Sequence, residues 1–302
     1  MRADVPVAFI IFNRPDTTAM VFEEIRKAKP SKLYVIADGP RPDREGEKEK
    51  TEECRRYVEE HIDWPCTLEK IYSDVNLGCK VRVYTGITEV LEKEPWTIIL
   101  EDDVVPTQSF FDFCADLLHM YSDDKKVMMI SGTNYFDGHE IKDNYTFSCF
   151  SSIWGWATWA RAWQYYDPDI KRWPEIRKSG KFKRVQGGIS YLFLKEHMDS
   201  VYEHRKDTWD LQWDFARHSH RGLGIVPAGN LVRNIGFERE DATHTNSNGA
   251  SDMNFSYGSV SFPLEKKAEI KRDVDYDAAF IKKYYGMKKL MKAGMRRMHI
   301  VK

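Results

Sequence analysis

The chain lacks any run of about 18 apolar residues, so no membrane-spanning helix is expected from it. It has little cysteine. Five residues in 302 (Cys54, Cys66, Cys79, Cys114 and Cys149) are scattered and form no Cys-x-x-Cys, which excludes a disulfide framework or a zinc ribbon and suits free thiols in a reducing compartment. Net charge is also scarce: −1 overall, so bulk electrostatics gives no reason to expect a nucleic-acid partner. Two phosphate-binding signatures are missing. No Gly-x-Gly-x-x-Gly follows the first apolar run, which argues against a dinucleotide-dependent dehydrogenase, and no Gly-x-x-x-x-Gly-Lys-Ser/Thr supports a Walker loop. That first run, Val5 to Phe12, is not followed by a small-residue cleavage site; we expect no signal peptide and a cytoplasmic protein. Internal repeats and low-complexity tracts are absent, and 13% aromatic residues exclude a disordered chain.

What is present alternates. Val5–Phe12 reads as a strand apolar on both faces, as in a parallel sheet covered by helices. Leu33–Ala37, Leu68–Tyr72, Thr97–Leu100 and Val127–Ile130 read as further strands, and helical patterns lie between them. The spacing predicts an α/β fold with an open, mostly parallel sheet flanked by helices. Residues 187–220 read as helical, Gly224–Val232 as a strand pair, and 238–259 as a long lid-like loop. Trp156, Trp159 and Trp163 are spaced as one helical face.

In such sheets ligands bind beyond the carboxyl ends of the strands. The polar residues that fall there are Asn13 and Arg14 after the first strand, Asp38 after the second, Asn76–Arg82 after the third, and Glu101-Asp102-Asp103 after the fourth. Three adjacent carboxylates at the end of a buried strand repel one another, and a hard cation such as Mg²⁺ or Mn²⁺ relieves the repulsion. The other reading is a solvated acidic turn. Asp38 suits a ribose or base contact, or simply a turn before Gly39-Pro40. Gly78 permits close backbone approach at a helix N-terminus, with Lys80 and Arg82 adding positive charge for an anion. Trp154 beside Gly155 can floor a sugar ring. Thr208-Trp209-Asp210-Leu211-Gln212-Trp213-Asp214 offers two candidate general bases beside tryptophan. His244 is a candidate metal or phosphate ligand, with a plain surface histidine as the alternative.

Phe12–Pro15 (FNRP), Ile36–Arg41 (IADGPR), Asn76–Cys79 (NLGC), Ile99–Pro106 (ILEDDVVP), Trp154–Trp163, Thr208–Trp213 and Asn234–Thr245 stand in an order that resembles glycosyltransferases of the GT-A fold. The likeness is to bacterial family 2-type nucleotide-diphospho-sugar transferases, which in turn resemble the animal N-acetylglucosaminyltransferase that begins complex N-glycans. It implies a Rossmann-like GT-A sheet, with 1–130 as the nucleotide-sugar half, 131–262 as the acceptor and catalytic half, and 263–302 as a basic helical tail. It further implies that Arg14 and Asp38 contact the base, uracil by analogy, and that Glu101 and Asp102 contact sugar and ribose. Asp103 would ligate Mn²⁺ or Mg²⁺, and Asp210 would be the catalytic base with Asp214 its competitor; Asn13, Gly78, Lys80, Trp154 and Trp209 complete the donor site. The implied activity is metal-dependent, inverting hexosyl or N-acetylhexosaminyl transfer from a UDP-sugar to a glycan or lipid-linked acceptor, in surface polysaccharide or glycoconjugate synthesis.

Two other function classes compete. A sugar nucleotidyltransferase uses a similar sheet but needs a Gly-rich basic loop where this chain has Asn13-Arg14-Pro15-Asp16. A non-catalytic carbohydrate or nucleotide-sugar binder explains the tryptophans but not the acidic triplet. Finally, residues 281–302 hold eight Lys/Arg and no Asp or Glu, leaving −9 for the rest of the chain. With methionines at helical spacing, Lys282–Lys302 can lie on an anionic membrane surface, which would place the enzyme at the inner face of a membrane.

Overall fold

The computed structural model describes residues 5–136, 141–180, 182–183, 188–236 and 257–285. Ten strands and nine helices are used below. In chain order they are β1 (Val7–Ile11), α1 (Pro15–Ala28), β2 (Lys32–Ala37), α2 (Glu47–Glu60), β3 (Thr67–Tyr72), α3 (Gly78–Lys93), β4 (Trp96–Glu101), β5 (Val104–Pro106) and α4 (Gln108–Met120). There follow β6 (Val127–Ser131), β7 (Tyr145–Ser148), β8 (Trp156–Trp159), α5 (Ala160–Trp163), α6 (Trp173–Ser179), α7 (Gly188–Tyr202), α8 (Asp210–Ser219), β9 (Leu223–Pro227), β10 (Val232–Asn234) and α9 (Val274–Tyr285).

Eight strands make one sheet in the order β3-β2-β1-β4-β8-β6-β9-β7. The run β3-β2-β1-β4 is parallel throughout, and β6 pairs in parallel with β9; β8 and β7 run the other way. The fold is therefore α/β and Rossmann-like, as the alternation predicts. β1 shows why its sequence is uniformly apolar. Val7, Phe9 and Ile11 point into one core with Phe22, Val35, Leu100 and Phe110, under α1, α2 and α4. Ala8 and Ile10 point into the opposite core with Ile36, Ile87 and Ile99, under α3. Both faces are dry, so neither residue parity can be polar.

The tryptophan segment departs from expectation. Trp156–Trp159 is strand β8, and only Ala160–Trp163 is helical. A strand sends Trp156 and Trp159 to opposite faces: Trp156 joins the α3-side core with Trp163 and Trp213, and Trp159 the α1-side core. The 187–220 region is two helices, α7 and α8, and the strand pair expected at Gly224–Val232 belongs to two different sheets, since β10 pairs with β5 rather than with β9. The β10–β5 pairing draws residues 234–236 alongside the end of β4. All five cysteines are free thiols, as expected. No helix among the described residues is long and apolar enough to cross a membrane.

Candidate functional site at the carboxyl edge of the sheet

β1, β2 and β4 end side by side, so the residues that follow them meet. Arg14 reaches the β4 end, where its Nη1 donates to Asp103 Oδ2 at 2.9 Å and lies 3.6 Å from Asp102 Oδ1. Asp102 is buried and also accepts from the Phe12 backbone N–H at 3.3 Å. Asp103 is held from the other side: its carbonyl accepts from Ile235 N at 2.8 Å. Gly236 lies so close that a Cβ there would stand 2.3 Å from Asp103 Oδ2.

Glu101 carries the electrostatic signature of the site. Burial, then the charges of Asp103, Asp102 and Asp210, push its carboxyl up to about 8, against a smaller opposing effect of Arg14. Asp210 is thus near enough for its charge to act on Glu101, although 109 residues separate them in the sequence. It opens α8, and Thr208 Oγ1 donates to its Oδ1. Asp214 is placed differently: its Oδ1 accepts from the fully buried Arg217 at 2.6 Å. Burial raises Asp214, and Arg217 opposes the rise.

Asp38 is buried and its two oxygens are engaged with backbone. They accept from Gly39 N at 3.0 Å, Leu77 N at 2.9 and 3.1 Å, and Gly78 N at 2.9 Å. The anion at the N-terminus of α3 is therefore Asp38 itself, a strand-two carboxylate capping a helix that has no cap of its own. Gly78 adopts φ +81° there, a backbone that only glycine enters freely. Asn76 Nδ2 ties the same loop to Gly39 O at 2.7 Å, and Arg55 Nη2 bridges Asp38 O and Ser73 O at 2.9 and 2.7 Å. Lys80 is half-buried in the first turn of α3; Arg82 is buried, which lowers its pKa from the ordinary value.

Trp154 is half-buried in the loop before β8, its ring 6.3 Å from that of Tyr135. Trp209, expected in the donor site, is instead a core residue, 4% exposed and stacked on Trp156 at 5.9 Å. His244, most of the 238–259 loop and residues 286–302 fall outside the described residues.

Two residues at this edge carry no sequence signal. Glu47, almost fully buried, accepts from Asn13 Nδ2 at 2.8 Å, from Arg41 N at 2.7 Å and from the Arg41 guanidinium. Tyr135 follows β6, and its phenol is pushed up to about 12 by burial, with Asp214 and Asp210 adding to the rise. Residue type alone marks neither of them.

Does this donor set suit a divalent cation? Among the described residues no three His, Cys, Asp or Glu are grouped to hold one. Magnesium and manganese need less than a protein cage, because they take one or two carboxylates and complete their shell with phosphate oxygens and water. Asp102 and Asp103 share the Arg14 guanidinium, at 3.6 and 2.9 Å from its Nη1, and Glu101 stands beside them in the chain. Asp103, with Glu101 nearby, fits a cation completed by a phosphorylated ligand.

No family model matches the chain, and no curated protein matches it. Among solved structures it is similar to the mannosyltransferase PcManGT from Pyrobaculum calidifontis in complex with GDP-Man and Mn²⁺, at 11% identity over 72% of this chain and 70% of that one. The TM-score is 0.39, too distant a likeness to carry an argument about function.

Proposed function

We propose that the chain is a metal-dependent glycosyltransferase of the GT-A type, which moves a sugar from a nucleotide-diphosphate donor to a hydroxyl of a glycan or lipid-linked acceptor. The observation that carries this reading is the meeting of Arg14, Asp102 and Asp103 beyond β1 and β4, with the charge of Asp210, at the start of α8, acting on Glu101 beside them. A cation-suited acidic cluster beside a separate carboxylate is the pair of functions that transfer needs.

A sugar hydroxyl is a poor nucleophile until its proton has somewhere to go. Asp210 would accept that proton on the oxygen not engaged by Thr208, as the hydroxyl oxygen bonds to the anomeric carbon. The bond from that carbon to the diphosphate breaks on the opposite face, so configuration inverts and the nucleoside diphosphate leaves. Asp103 would hold the cation, which when bound supplies positive charge for the departing diphosphate. Lys80 lies at the same edge to add to it, and Trp154, with Tyr135 beside it, would floor the sugar ring of the donor. Asp214 serves the fold through Arg217, which favours Asp210 as the base. UDP as donor nucleotide, a hexosyl or N-acetylhexosaminyl group, a role in polysaccharide synthesis and a cytoplasmic site of action belong to this same proposal.

Peripheral membrane contact through 282–302 is part of the proposal too, though one of its lysines is already engaged: Lys283 Nζ donates to Tyr135 O at 2.9 Å.

A thermal-shift panel of UDP, GDP, dTDP and CMP, each with Mn²⁺ and with EDTA, tests the reading. A metal-requiring rise with one nucleoside diphosphate is the expected result. Product analysis of the corresponding nucleotide sugar, with and without sugar acceptors, then separates transfer from hydrolysis. No shift with any nucleotide would overturn the proposal.

A further inference from the structure

Both residues that the family resemblance nominates as base readers have other partners. Asp38 accepts three backbone N–H groups, from Gly39, Leu77 and Gly78. Arg14 donates to Asp103 at 2.9 Å. Asn13, half-buried just beyond β1, borders an open depression of ≈ 470 Å³ that has Arg14, Pro15 and Asp16 on one side and Lys50, Glu53 and Tyr57 of α2 on the other.

The orientation of the Asn13 carboxamide follows from chemistry. Its partner is Glu47, whose carboxyl is held below the usual range first by its hydrogen bond to Arg41. Arg41 grips it through Nε, at 3.1 and 3.0 Å from the two oxygens, and through Nη2. An ionised carboxylate only accepts. The Asn13 group facing it at 2.8 Å must therefore be the NH₂, and Oδ1 must point away. Asn13 Oδ1 makes no hydrogen bond with any described residue. An ion pair between the half-exposed Arg41 and the buried Glu47 thus fixes a neutral amide so that an acceptor oxygen is presented at the strand end where the donor's nucleoside would lie.

We infer that Asn13 reads the nucleobase of the donor by accepting one of its N–H groups through Oδ1, and that Glu47, locked by Arg41, is the positioning residue that sets this polarity. The inference rests on the nucleotide-sugar reading above and moves base recognition away from Asp38, whose place is to cap α3. A uracil, thymine or guanine ring, each with an N–H beside a carbonyl, matches the amide edge: the N–H meets Oδ1 and the second Nδ2 hydrogen meets the carbonyl. Glu47 touches no substrate in this scheme; it acts through Asn13.

The test is isothermal titration of the full chain with UDP, GDP and dTDP, and separately with inorganic pyrophosphate, all with Mn²⁺. The proteins are wild type, Asn13→Leu and Glu47→Gln. Asn13→Leu is expected to weaken the best nucleoside diphosphate about 5–10-fold, the loss of one hydrogen bond, while pyrophosphate affinity stays unchanged. Glu47→Gln lets the amide turn over and should lower the same ratio by a smaller factor. A merely structural role for Glu47 would weaken nucleotide and pyrophosphate together, and that result overturns the positioning claim. Unchanged nucleotide affinity in Asn13→Leu overturns the base contact. Wild type that binds pyrophosphate as tightly as every nucleotide overturns this inference while leaving the metal-diphosphate site intact. Wild type that binds none of the ligands sinks the glycosyltransferase reading, and this inference with it.

Discussion

Arg14 Nη1 donates to Asp103 Oδ2 across 2.9 Å, so the loop after β1 neutralises the loop after β4. Asp103, the proposed cation ligand, is thus already the partner of a resident guanidinium. Asp103→Ala is expected to abolish metal-dependent turnover while the fold survives. Arg14→Ala removes the counter-charge, so its melting temperature in EDTA should fall below wild type, and the rise on adding Mn²⁺ should be larger. A thermal-shift series with and without Mn²⁺ reads both. An equal Mn²⁺ response in Arg14→Ala and wild type would show that the two cations do not share the site.

The two acidic residues of α8 should separate cleanly. Asp210→Asn is expected to keep nucleotide binding and to lose about 10²–10⁴-fold in transfer, as for removal of a general base. Asp214→Asn strips the buried Arg217 of its carboxylate and should cost about 3 kcal/mol of stability, the low end for breaking a buried pair because Asp214 is partly exposed. Transfer assays alongside urea melts measure the two effects. Full activity in Asp210→Asn would reassign the base.

Gly236 offers a test of the cleft's geometry that leaves every charged group in place. In Gly236→Ala the new Cβ meets Asp103 Oδ2 at 2.3 Å and Asn234 Oδ1 at 3.2 Å, so the carboxylate must shift. The Mn²⁺ concentration for half-maximal activity should rise about tenfold or more, equivalent to about 1.4 kcal/mol of lost coordination. A metal titration of the variant checks this; an unchanged half-saturation would mean that Asp103 is not the ligand.

His218 sets a pH dependence of stability. It is buried against Phe150 and Phe182, with ring centroids 6.0 and 5.9 Å away, and burial holds its pKa well below 6.5, assisted by Arg217 and Arg272. Folded His218 therefore stays neutral while the unfolded chain takes up a proton below about pH 6.5. Stability falls as pH drops through that window, with a contribution approaching about 1.4 kcal/mol per pH unit, and above it the contribution is complete. Carboxyls raised by burial, such as Asp214 and Asp277, act in the opposite direction, so the comparison must be between variants. Urea midpoints at pH 7.5, 6.5 and 5.5 should show a shallower acid loss in His218→Phe than in wild type. Parallel curves would remove the assignment.

Much of the scaffold was readable because a strand covered on both faces has no room for polar residues. Val7 through Ile11 therefore stands out, and with it the position of Asn13 and Arg14 just beyond. The same logic located Glu101-Asp102-Asp103 after Ile98, Ile99 and Leu100. The tryptophans misled because spacing carries information only when one face is wet. Trp156 and Trp159 lie three apart, as on one helix face, yet each is buried on its own side of β8, and a doubly covered strand erases the polar signal that would have shown it. Glu47 was invisible for another reason. It is one charge among Glu47, Lys48, Glu49, Lys50, Glu52 and Glu53, and only the return of Arg41 and Asn13 to it in space singles it out. Asp38 was located correctly, but its backbone partners at Leu77 and Gly78 lie some forty residues on.

The antiparallel strand β8 lies between β4 and β6, paired with Trp96–Ile99 on one side and with Ile130–Ser131 on the other. The acidic triplet's strand and the strand that leads to Tyr135 are thereby stitched to one shared plank. Opening the molecule between the β3-β2-β1-β4 strands and the β6-β9-β7 strands would have to tear backbone hydrogen bonds in the middle of the sheet, and neither set can be cut away without leaving β8 a raw edge.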